Sequence, residues 1–78
     1  MTDFTVTYLN GEVKEITSPG LSYLVKDHFN DSKEELKSMV EMITWRSDGV
    51  FYARDVQADE TSSQLITADV NPYGWRNT

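Results

Sequence analysis

Apolar and polar residues alternate with period two from Phe4 to Tyr8 and again after Gly11. They take a helical spacing between Leu21 and Ile43, then return to dense β-formers from Val50. A period of two puts one set of side chains on a single sheet face, whereas a spacing of three and four marks one side of a helix. In FTVTYLNGEVKEIT the Asn10-Gly11 pair separates two alternating runs, and both residues tolerate the positive φ that a two-residue type I′ hairpin turn requires. Such a turn pairs Tyr8 with Val13, Val6 with Glu15 and Phe4 with Thr17, and sets Phe4, Val6, Tyr8 and Val13 on one face. Leu9 and Ile16 then fall on the polar side, which points to a bulge, a different loop or a second, partly covered face.

Ser18-Pro19-Gly20 predicts a helix start, with Ser18 as cap and Pro19 at the first helical position, where its missing N–H is harmless. Leu21, Leu24, Val25 and His28 form an inward stripe with Phe29 beside it, and Asn30 suits the left-handed conformation that ends helices. A second helix opens at Asp31 or Ser32, where Ser32 and Glu35 have capping-box spacing. Leu36, Met39, Val40 and Ile43 are its inward stripe, and its end is expected near Ile43 or Thr44. Lys33, Glu34, Lys37 and Glu41 give its outer face mixed charge.

Thr44 to Val56 combines β-formers with turn chemistry at Ser47-Asp48-Gly49, so a second hairpin is expected there, the alternative being a helix that runs on through Trp45. Asp59 to Ser63 is a polar loop on this reading, and Gln64 to Val70 a further strand. The fold class is α+β: an N-terminal β-hairpin, two consecutive helices, then two or three antiparallel strands forming one sheet with the helices packed on one face. Residues 1–70 make a single small domain and residues 71–78 an aromatic C-terminal tail. The expected core is Phe4, Val6, Tyr8, Val13, Leu21, Leu24, Val25, Phe29, Leu36, Met39, Val40, Ile43, Phe51, Ala53, Leu65, Ile66 and Ala68.

Composition narrows the function classes. The chain has 78 residues, no cysteine, and thirteen acidic against seven basic side chains for a net charge of −6. The missing thiols exclude a disulfide scaffold and a thiolate zinc site. The negative balance argues against direct nucleic-acid binding, which depends on Lys and Arg displacing counterions from phosphate. It is either ordinary solubilising charge or a mimic of nucleic-acid charge, and Lys33 and Lys37 interrupt the most acidic helix face. No apolar run approaches the ~20 residues of a membrane span, and MTDFTVTYL lacks the marks of a signal peptide, so a cytoplasmic location is expected.

Candidate chemistry is sparse. His28 is the one histidine and has no second His or Cys to complete a metal sphere, so a structural role is expected. Asn30 to Glu41 has the length of a calcium loop, but Glu35 stands where that loop needs glycine. The acids Asp55, Asp59 and Glu60 sit in or beside the polar loop, not in a pocket that would separate their pKa values. No catalytic glycine motif occurs, so neither an enzyme nor a cofactor is expected.

Aromatic and arginine residues give the functional lead, because Trp, Tyr and Arg most often anchor protein interfaces. Trp45, Arg46, Tyr52 and Arg54 point away from the expected core by alternation, and Tyr73 and Trp75 lie in the tail; a small domain also needs such rings for its interior. The expected function is a small acidic, non-catalytic protein-interaction module. Its partner would be another protein or a second copy in a homodimer, met through a sheet edge or an aromatic patch. Phage and mobile-element accessory proteins share this small, acidic, Cys-free form. The alternatives are an acidic inhibitor that blocks a DNA- or RNA-binding protein and a small-ligand-binding domain with a pocket between helices and sheet.

Overall fold

The computed structural model describes residues 1–65, in the order β1 (Thr2–Tyr8), β2 (Val13–Ser18), α1 (Leu21–His28), α2 (Lys33–Met39), β3 (Val40–Ser47), β4 (Val50–Asp55) and β5 (Glu60–Leu65). The fold is α+β, with two helices and a five-stranded antiparallel sheet of order β2-β1-β3-β4-β5. Ile66, Ala68, the rest of the strand expected to reach Val70, and the tail with Tyr73 and Trp75 lie outside the described residues.

Each hairpin is set by its turn. Asp48 and Gly49 have φ of 51° and 76°, and Ser47 pairs with Val50. This two-residue loop matches the right-handed twist of the flanking strands. The β1–β2 loop has three residues instead of the two expected. The Gly11 N–H donates to the Tyr8 carbonyl (3.0 Å), the Tyr8 N–H donates to the Glu12 carbonyl (2.8 Å), and Gly11 supplies the positive φ of 93°. The Asn10 side chain accepts from the Glu12 N–H (2.9 Å), which holds the turn. One extra loop residue changes every pair: Phe4 faces Ile16, Val6 faces Lys14 and Thr7 faces Val13. Ile16 thereby joins the core side, and Val13, expected inside, is 59% exposed.

Between β2 and α1 the cap differs from expectation. Gly20 is the N-cap, and Ser18, the last residue of β2, is buried and donates its hydroxyl to the Gly20 carbonyl (3.2 Å). Asn30 does adopt the left-handed conformation, followed by Asp31, with φ of 55° and 54°. The Ser32 hydroxyl caps α2 by accepting from the Glu35 N–H (3.2 Å). The Glu35 carboxylate turns to the Asn30 side-chain amide instead of closing the capping box.

The second helix ends earlier than its apolar spacing predicts. It stops at Met39, and Val40 is already extended, with φ −115° and ψ 137°. The reason is a bulge: β1 pairs Thr7 with Met42 but Tyr8 with Val40, so Val40 and Ile43 both turn inward although three residues apart. That spacing imitates a helix. Met39, expected in the core, is 45% exposed.

The core is Phe4, Val6, Leu24, Phe29, Leu36, Val40, Ile43 and Val56, with Tyr8, Ile16, Leu21, Val25 and Trp45 packed around it. It lies between the helices and one sheet face. Alternation puts Phe51 and Ala53 on the other face, in cross-strand pairs with Arg46 and Thr44; Phe51 is exposed and Ala53 half-buried, against their expected core roles. Leu65 is also exposed. His28, expected on the inward stripe, is the exposed last residue of α1.

Candidate functional site

Strands β4 and β5 form a wing whose helix-side row is Val50, Tyr52, Arg54, Thr61, Ser63 and Leu65, with Trp45 of β3 beside it. The helices pack on β2 and β3 and leave this row at the side of the helical layer. Trp45 and Tyr52 are direct cross-strand partners with nearly parallel rings (centroids 5.3 Å, 10° between planes), and Trp45 also meets the Phe4 ring at 5.4 Å. Such aromatic pairs contribute about 0.5–1.5 kcal/mol beyond area burial. Both residues are half-buried, so Trp45 ties the wing to the core.

Three of the six expected interaction residues, Trp45, Tyr52 and Arg54, thus share one face. Arg46 lies on the opposite face and is exposed. Tyr73 and Trp75 are outside the described residues.

Arg54 is anchored by its own hairpin. Its guanidinium donates to the Thr61 hydroxyl (3.0 Å) and to the Asp59 carboxylate, which also accepts from the Lys33 ammonium (3.1 Å). Asp59 has φ of 60°. The loop before it docks on α2 as well. Val56 is buried in the core with its N–H on the Glu41 carbonyl (3.0 Å). The Gln57 side-chain amide donates to the Lys37 and Val40 carbonyls (2.7 Å each), satisfying carbonyls at the end of the helix. Asp59, in the stretch expected to be a polar loop, thus holds the start of α2 through Lys33, while Gln57 just before that stretch holds its end.

The Lys33 hydrogen bond, with the positive charges of Lys33 and Arg54, holds the Asp59 carboxyl below its ordinary value of 3.8, although burial opposes the shift. A carboxyl depressed in the folded state stabilises the fold above its unfolded value and loses that contribution as pH falls through the folded value. Asp59→Asn is expected to be less stable than the parent at neutral pH and to converge with it below about pH 4. The difference should be small, because Asp59 is 39% exposed and solvent screens the pair. Thermal melts of the two proteins from about pH 2 to about pH 7 test this; parallel curves would sink it.

A groove of 390 Å³ opens beside this cluster, with Leu21, Val25 and Leu36 as its apolar side and Lys33, Arg54 and Thr61 among its polar side. Among the described residues no group of three or more His, Cys, Asp or Glu is placed to hold a metal ion, and no helix is long and apolar enough to cross a membrane.

The last described strand, Glu60–Leu65, begins four residues before the strand expected at Gln64 to Val70, within the stretch expected to be a polar loop, because ETSSQL has little hydrophobic alternation. The signal available was Asp59, a residue that tolerates a left-handed turn, placed after the β-rich run Val50–Asp55. All six residues of β5 are exposed, and among the described residues nothing pairs with its outer side. No protein-family model matches this chain, no curated protein is significantly similar to it, and no solved structure matches it.

Proposed function

We propose that this protein is a small acidic, non-catalytic protein-interaction module that takes its partner by strand addition at the outer edge of β5. The observation that carries this is the contrast between the two sheet edges. An open edge invites pairing, and proteins protect such edges with mid-strand charge, proline, bulges or a covering element. At β2, Lys14 and Glu15 sit mid-strand and α1 packs alongside. At β5 the pairing with β4 is regular throughout, the strand has no proline or lysine, and its one charge is Glu60 at the start. Main-chain hydrogen bonds then supply affinity and alternate side chains supply selectivity.

The test replaces Ser62 and Gln64 by lysine. Ser62→Lys/Gln64→Lys adds the protection that β5 lacks while leaving the buried core untouched. It also reduces the negative net charge, so lost binding would not come from stronger overall repulsion. The expected result, in affinity capture and gel filtration with the full chain, is a loss of association of about tenfold or more with stability changed by less than about 0.5 kcal/mol. Equal capture by parent and variant would rule out the edge.

One observation favours a second reading. The sheet face away from the helices carries Asp3, Glu15, Asp55 and Glu60 against Arg46 alone. That face suits an acidic inhibitor set against the basic groove of a nucleic-acid-binding protein. Salt separates the two: affinity for a basic groove falls steeply as salt rises, whereas strand addition through neutral residues is not weakened by it.

A further inference from the structure

We infer that the partner of the β5 edge is a second copy of this chain, joined antiparallel about a two-fold axis at Ser63, with Leu65 of each copy seated at the groove beside Arg54 of the other. This rests on the strand-addition reading above and names its partner.

Symmetry limits the register. A two-fold axis that sets two β5 strands antiparallel in one continuous sheet stands perpendicular to that sheet, so both copies turn their helices to the same side. Directly opposed residues share a face, so a residue at the axis must oppose itself. Centring on Ser62 places Leu65 opposite Asp59, the carboxylate already engaged by Lys33 and Arg54. Centring on Ser63 places Leu65 opposite Thr61 and Ser62 opposite Gln64.

The second arrangement uses what the single chain leaves exposed. Leu65 is 68% exposed on the helix side of the sheet, and Thr61 lines the 390 Å³ groove whose apolar residues are Leu21, Val25 and Leu36. Opposed residues bring their Cβ atoms within about 4.5–5.5 Å, so Leu65 of the second copy arrives beside Thr61 at the groove mouth. The same contact forms twice. Thr61 to Leu65 carries no charge, so the net charge of −6 on each copy opposes association only from a distance. Raising salt therefore tightens this dimer, the reverse of binding to a basic groove. The short contact makes it weak, with dissociation about micromolar or weaker.

The experiment uses the full chain, which has no natural cysteine. Sedimentation equilibrium into the high micromolar range is run at low and high salt on the parent and on Leu65→Ala. Single-cysteine variants Ser62→Cys, Ser63→Cys and Gln64→Cys are then oxidised under mild conditions. A residue opposed to itself has Cα atoms about 4.5–5.5 Å apart, inside the disulfide range, whereas like residues one position from the axis are roughly 8 Å apart. The expected results are a monomer–dimer equilibrium that tightens with salt, weakening of about tenfold or more in Leu65→Ala, and cross-linking at Ser63→Cys on the order of ten times faster than at its neighbours. A dimer that cross-links fastest at Ser62→Cys or Gln64→Cys would overturn the register and the seating of Leu65 but leave the edge in use. A strict monomer would overturn the second copy as partner, and the capture comparison with the lysine variant would then decide the edge reading separately.

Discussion

Phe29→Ala is expected to cost about 3–5 kcal/mol of folding stability. Phe29 is 1% exposed, its ring lies 6.4 Å from that of Tyr8, and its N–H closes α1 on the Val25 carbonyl (2.9 Å). The ring fills the space where the turn between the helices meets the sheet. The two left-handed residues that follow, Asn30 and Asp31, hold the chain in a fixed path, so the site cannot collapse cheaply around a missing ring. A chain of this length has a total stability of only about 4–12 kcal/mol, so the variant should be partly unfolded at room temperature. Phe29→Leu keeps most of the volume and should lose under about 1.5 kcal/mol. Urea unfolding followed by far-ultraviolet circular dichroism checks both. A loss below about 1 kcal/mol in Phe29→Ala would mean that the helices do not depend on this contact.

The parts of the fold legible in the sequence are those governed by local chemistry. Asp48-Gly49 accepts two positive φ values, the Ser32 hydroxyl caps a helix, and Asn30 ends one. What escaped was decided by non-local pairing. The three-residue loop at Leu9–Gly11 and the two-residue type I′ loop suit the same Asn-Gly pair, yet they differ by one residue in register and exchange Val13 for Ile16 on the core side. The bulge after Val40 gave a strand the spacing of a helix. Val56 lies next to the polar QADE run, and only its tertiary packing, with its N–H on the Glu41 carbonyl of β3, makes it core.

The candidate site divides in the same way. Residue type drew attention to Trp45, Tyr52 and Arg54, but the face they occupy follows from the register of β3 against β1, which the bulge resets. The open edge at β5 was hidden for a different reason. Glu60 to Gln64 are polar because neither side of that strand is buried, so hydrophobic alternation, the usual mark of a strand, has nothing to act on. An edge suited to pairing is therefore least visible where it is least covered.

The placement of Trp45 gives the second large effect. If this ring served only a partner, Trp45→Ala would leave the fold unchanged and remove binding. The ring instead lies between Phe4, which is 2% exposed, and Tyr52, with Ile43 on the same face two residues before it. Truncation removes the stack that joins β4 to the core and opens space beside Phe4. For a half-buried tryptophan the expected loss is about 2–4 kcal/mol, below the full cost of a wholly buried ring. Trp45→Phe keeps a ring against both neighbours and should lose roughly half as much. The β5 edge depends on the wing but not directly on this side chain. Thermal unfolding together with sedimentation should therefore show Trp45→Ala losing stability first, and losing association only at temperatures where the wing has melted. An unchanged melting temperature with abolished association would reverse the assignment and return Trp45 to the interface.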